Sequence, residues 1–156
     1  MKVNPAENEE VDPFWSWHAN IHRLNNRKHI LFVNDLTRLC IMVNGVRSAQ
    51  LATLKEKFIA TLISYLQSEG VNPSLIHAYV TAGTDLMISK TNNRSVLGTM
   101  KEIMLFSSDD FDDDTDRLKW LNSIIYKPID YKEPINVFKE ALFKNPQVRT
   151  NVKNNS

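Results

Sequence analysis

The stretch Lys90-Thr91-Asn92-Asn93-Arg94-Ser95 sets six polar residues directly before the apolar pair Val96-Leu97. If a strand ends at Lys90 and a helix begins near Arg94, this corner is a candidate anion site. The first turn of a helix carries unpaired N–H groups and the positive end of a dipole. Lys90 and Arg94 would neutralise the anion, Asn92 and Ser95 would orient it, and one Asn would cap the helix. The plainer use of the same residues is a capped helix whose cations face water or pair with an acid such as Asp85.

Two further groups could do chemistry. His18 and His22 stand four apart, the spacing of a chelating pair on a helix. On a strand they share a face but sit about 13 Å apart, too far for one metal. Paired histidines could also serve RNA cleavage as acid and base. The run from Asp109 to Asp116 holds six carboxylates in eight residues. Asp110, Asp112 and Asp114 have the spacing of a calcium loop, but Thr115 replaces its glycine and Leu121 its final glutamate. Acids at a helix N-terminus, facing its dipole, account for the run better. No metal or cofactor is expected.

Elements must position these groups. Residues 1–12 carry four acids and few apolar side chains, and read as a disordered arm. Asp12-Pro13 could open a helix with Phe14, Trp17, Ile21 and Leu24 on one face. Alternation of Trp17, Ala19 and Ile21 with polar neighbours favours a strand over 16–24 instead, because Asn25-Asn26 and the β-rich run His29–Val33 follow at once. Asn34-Asp35 turns the chain into a third strand, Arg38–Val43. Ser48 caps a helix to Glu69, with Leu51, Leu54, Phe58, Leu62 and Leu66 as its stripe and Gly70 after its end. Asn72-Pro73 starts a short helix to about Tyr79. A strand over 85–90 and a helix over 93–106 follow. Gly98, costly inside a helix, suggests that another backbone passes close there. Trp15 and Trp17 could stack bases if exposed, but core burial is their commoner use.

The fold class expected is therefore α+β: one domain over 13–144 with a mainly antiparallel sheet of about four strands. A meander over 16–43 and a strand at 85–90 make the sheet. Helices near 48–69 and 93–106 cover it, with further helices near 112–126 and 134–143, and 145–156 as a frayed polar tail.

Composition limits the function. A length of 156 residues suits one domain, and a net charge of +1 gives no global field toward nucleic acid or lipid. Cys40 is the sole cysteine, in an apolar run, so a buried thiol in a reducing compartment is expected. The N-terminal residues have no apolar signal core, and no run approaches the roughly 20 apolar residues of a membrane span. The chain reads as soluble and cytoplasmic.

Three blocks together resemble a bacterial family of a domain of unknown function. They are Trp17-His18-Ala19-Asn20 with Arg27-Lys28, Leu31-Phe32-Val33-Asn34-Asp35-Leu36-Thr37, and Lys90 through Met100. The family shares a W-[HY]-A-N … R-[RK]-K … L-F … T … K-T-x-[ND]-R-S-V-L-G-x-M pattern, and the resemblance spans roughly residues 14–103. It implies a bacterial or phage-borne intracellular protein, of the kind carried on a mobile element, and brings no catalytic residue. The turn at Asn26-Arg27-Lys28 has one basic residue fewer than the pattern, and nothing after Ile103 matches it.

The function expected is a non-catalytic binding module for an anionic ligand or partner. Its site would join Asn20, Arg27, Lys28, Asn34, Asp35 and Thr37 with Lys90, Asn92, Asn93, Arg94 and Ser95. Its partner would be a protein or a phosphate-containing ligand, with nucleic acid less favoured and a membrane excluded. One alternative is a toxin-like ribonuclease or nucleotide-processing enzyme with His18 or His22 as base and Arg94 on the phosphate. Another is an interaction factor that docks through the acidic run.

Overall fold

The computed structural model describes residues 12–24, 27–44, 51–82, 87–106, 113–124 and 126–154. The expected arm before Asp12, the Asn25-Asn26 turn, the Ser48 cap, Asp85 and Asp109–Asp112 lie outside the described residues. Asp12 accepts the Phe14 N–H at 2.9 Å and caps a single 3-10 turn, Pro13–Trp15. The helix-start signal at Asp12-Pro13 is thus real but lasts one turn. The alternating pattern then takes over as β1, Ser16–Leu24.

β2 (Arg27–Asn34) returns antiparallel to β1, in register from Trp17↔Asn34 to Leu24↔Arg27. β3 (Cys40–Asn44) pairs antiparallel with β2. The chain then crosses the sheet through α1 (Leu51–Ser68) and α2 (Pro73–Ala82) to reach β4, Met87–Ser89. A strand entered through such a crossover points the way the departing strand did. β4 is accordingly parallel to β1, through Ser16↔Met87 and His18↔Ser89, and the sheet order is β3-β2-β1-β4. The result is a mixed four-stranded sheet in a single α+β domain.

Side chains alternate across the sheet, which sorts β1 into two sets. Trp17 faces α1, where its ring meets Phe58 at 4.9 Å; Phe32 reaches the same ring at 4.5 Å. Phe138 of α5 (Pro134–Lys144) completes the cluster against Phe14 and Tyr79. The Trp17 indole donates to the Tyr79 hydroxyl at 3.0 Å, and the Trp15 indole to the Tyr79 carbonyl at 2.8 Å. Both tryptophans are therefore core residues with their polar ends satisfied. His18, Asn20 and His22 share the opposite face of β1, toward which α3 (Arg94–Phe106) brings its first turn.

Three expectations need correction. The helix expected over 112–126 is the shorter α4, Asp114–Leu121. Asn122 ends it because its side chain is held by β3: Oδ1 accepts the Cys40 N–H at 2.8 Å and the amide donates to the Cys40 carbonyl at 3.0 Å. The polar tail after Asn145 forms a sixth helix, α6 (Pro146–Asn154), against α2. Val148 is fully buried and Asn151 donates to the Ala78 carbonyl at 3.1 Å, so a narrow contact suffices to hold a polar helix. Gly98 has no close backbone: a Cβ there would meet nothing within 4 Å. Among the described residues, no helix is long and apolar enough to cross a membrane.

Candidate functional site

The loop between β2 and β3 is built around Asn34. Its side-chain oxygen accepts the Leu36 N–H at 3.2 Å, the Thr37 N–H at 3.0 Å and the Thr37 hydroxyl at 3.0 Å. Its amide donates to the Phe14 carbonyl at 3.0 Å. Asn34 and Thr37 are fully buried, so they hold the loop from within. The cost of this tight turn falls on Arg38, whose φ of 63° is left-handed without being glycine. Such a conformation costs of order 1–3 kcal/mol and persists where the surroundings impose it.

The turn drives the Arg38 side chain inward, to 9% exposure. One guanidinium nitrogen donates to the Asp35 carbonyl and lies 3.9 Å from its carboxylate; another donates to Ser95 Oγ at 2.8 Å. Arg38 Nε is buried without a partner. Burial pulls the Arg38 pKa down and Asp35 opposes that shift; an arginine stays charged regardless. Asp35 also holds His18, with Nε2 to Oδ1 at 2.9 Å. A neutral imidazole in that bond carries its proton on Nε2, which leaves Nδ1 as a bare lone pair. Nδ1 is buried and unpartnered.

Across from this loop, the start of α3 is self-capped. Asn93 Oδ1 accepts the Ser95 and Val96 N–H groups at 2.9 and 3.2 Å, and buried Thr91 accepts the Asn93 N–H at 2.9 Å. Two of the helix amides expected to receive an anion are thus occupied. Lys90, Asn92 and Arg94 are exposed, and among the described residues no carboxylate pairs with Lys90 or Arg94.

Four buried side-chain atoms without partners lie in this region: His18 Nδ1, Asn20 Oδ1, His22 Nε2 and Arg38 Nε. Buried polar atoms are normally satisfied. These fall in two places along β1: His18 and Arg38 beside Asp35, and Asn20 and His22 at a cleft farther along. Desolvation lowers the His22 pKa from its ordinary value. Asn20, His22 and Lys90 also line a cleft of about 500 Å³ whose remaining walls are Ala19, Ile21, Ile30, Leu54, Ile88 and Ser89.

The eleven residues expected at the site therefore divide. Asp35 and Ser95 meet through Arg38, and Asn20 and Lys90 meet at the cleft. Asn34, Thr37 and Asn93 are framework. Lys28 pairs with Arg23 toward the hairpin end of β2, about 20 Å along the strand from Asn34. Asn92 and Arg94 are exposed at the start of α3, and the Arg27 side chain lies outside the described residues. Arg38 was missed, since nothing in a local pattern says that an arginine will take φ above zero and turn inward.

Among the described residues, Cys40, Asp113 and Asp114 have structural partners or surroundings. Cys40 is buried, with its thiol pushed up to about 12. Asp113 caps α4 by accepting the Thr115 N–H at 3.0 Å, and Asp114 meets Asn44 at 2.8 Å and Arg117 at 3.5 Å. No group of three metal-ligating side chains occurs among the described residues.

The sequence pattern of the family described as Domain of unknown function (DUF6933) matches residues 1–137, and the chain belongs to that family. Comparison with curated proteins finds no match.

Proposed function

We propose, for this member of a family of unknown function, a non-catalytic binding module. It takes an anionic group, the phosphate or carboxylate of a ligand or partner, where the β2–β3 loop meets the first turn of α3. The observation that carries this reading is the buried Arg38 with its Nε–H unspent. A desolvated guanidinium donor is strongly attractive to an anion, since low local dielectric strengthens charge-assisted bonds. Among the described residues, Arg38, Lys90 and Arg94 outnumber the one carboxylate, Asp35, so the corner they form is net cationic. Ser95, already oriented by Arg38, offers a hydroxyl, while Asn93 leaves α3 to act through its dipole. A cytoplasmic protein of bacterial or phage origin belongs to the same reading, supported by the motif resemblance and by the single buried thiol.

The test is calorimetric titration of the full chain with inorganic phosphate. Arg94 makes no ion pair among the described residues. Arg94→Ala should therefore weaken phosphate binding about tenfold, the loss of one exposed charge-assisted contact, with an unchanged melting temperature. A variant that melts earlier and binds phosphate as before would make Arg94 structural.

The His18–Asp35 pair favours a second reading. A carboxylate that fixes an imidazole and leaves its other nitrogen bare is the arrangement of a general base. With Arg38 on a phosphate, it would suit ribonuclease or nucleotide-processing chemistry. Cleavage of an RNA oligonucleotide by the full chain, lost in His18→Gln, would support this; inactivity of the native chain would end it.

A further inference from the structure

The two edges of the sheet are treated differently. At β3, the Asn122 side chain makes with Cys40 the two main-chain bonds that a neighbouring strand would make. At β1, β4 pairs only with Ser16–His18, and among the described residues nothing pairs with β1 beyond that point on this side. The direction of the open groups can be read. The Asp35 N–H donates to the Ser16 carbonyl at 2.9 Å, so the main-chain groups of Ser16 face β2. Direction alternates along a strand, so Trp17 and Ala19 carry the bonds of the His18↔Ser89 pair to β4, and the main-chain groups of Ile21 and Arg23 beyond it point outward and open.

An unpaired row of main-chain donors and acceptors is a template for another strand, and natural edges are usually blunted against that. No proline interrupts β1, and Ile21 stands 66% exposed. The apolar cleft of about 500 Å³ runs directly beside this row, walled by Ala19, Ile21, Ile30, Leu54 and Ile88, with Lys90 at its rim.

We infer that the open edge of β1 receives an extended peptide segment of a partner protein by strand addition. Its main chain pairs with Ile21 and Arg23. Its side chains alternate, apolar ones entering the cleft and hydroxyl-bearing ones facing the unpartnered Asn20 Oδ1 and His22 Nε2. An acidic residue meets Lys90. Charge argues against a second copy of this chain, because among the described residues no acid stands with Arg23 and Lys90 at this edge and self-pairing would bring these cations together. The inference goes beyond the anion corner and does not rest on it.

The probe is a library of hexapeptides with Val, Ile, Leu or Phe at alternate positions and Thr, Ser or Glu between them. The full chain is followed by amide NMR. Binding members should slow amide exchange at Ile21 and Arg23, and N-methylating the peptide nitrogens that face β1 should abolish binding. Ile21→Pro removes an outward N–H that β2 does not use, a place where a sheet edge tolerates proline, and should weaken binding about tenfold. Phosphate binding by that variant should be unchanged, which separates this site from the corner. The inference is overturned if no peptide protects those amides, if Ile21→Pro binds as tightly as the native chain, or if they are protected without peptide in a dimer.

Discussion

Arg38 donates to the Ser95 hydroxyl at 2.8 Å and so ties the β2–β3 loop to the first turn of α3, across 57 residues of sequence. The same guanidinium is anchored on the Asp35 carbonyl, and Asp35 in turn holds His18. Loop, strand and helix therefore converge on one buried cation.

If that part-buried bond helps to hold the corner, Ser95→Ala takes from the Arg38 guanidinium its acceptor on α3. The expected loss is about 1–3 kcal/mol in urea denaturation, together with weaker phosphate binding. An unchanged midpoint would mean that the bond contributes nothing.

Gly98 offers the opposite sign. It lies inside α3 and a Cβ there meets open space, so Gly98→Ala keeps the helix and reduces the freedom of the unfolded chain. A gain of about 0.5–1 kcal/mol is expected, read as a higher melting temperature. Destabilisation would show that the space is filled.

Asn122→Ala strips both bonds from the Cys40 main chain in a fully buried setting. Each group left unsatisfied costs about 1–3 kcal/mol, so this should rank among the most damaging single changes to a polar residue. Asn122→Asp keeps the acceptor for the Cys40 N–H but buries a carboxylate oxygen against the Cys40 carbonyl, so near neutral pH it should be at least as damaging as Ala.

Burial lowers the His22 pKa from the ordinary 6.5. The unfolded chain then takes up the proton more readily than the folded one. Stability is full above pH 6.5 and declines as pH falls from there through the folded pKa. His22→Gln should flatten that decline in chemical-denaturation curves taken at successive pH values. A curve unchanged by the substitution would place the pH dependence elsewhere.

Local patterns made much of this fold legible. The alternation at Trp17–Ile21 and the unbroken run at His29–Val33 name a hairpin, and β1 and β2 form it. The stripe from Leu54 to Leu66 names α1, and Gly70 follows it with φ of 78°. What escaped depends on partners distant in sequence. Asn122 ends α4 by bonding a strand 82 residues away, and α6 holds on through Val148 and Asn151. In the candidate site, the exposed cations at Lys90 and Arg94 were legible because charge next to a helix start has a local signature. The buried cation was not, because Arg38 turns inward only under the bonds that Asn34 imposes on its loop.

The most direct measurement of anion capture follows the Arg38 Nε–H signal by NMR while the full chain is titrated with inorganic phosphate. A saturable shift of that signal, weakened in Arg94→Ala, is expected. An Nε–H that stays still in the folded protein at saturating phosphate would contradict it.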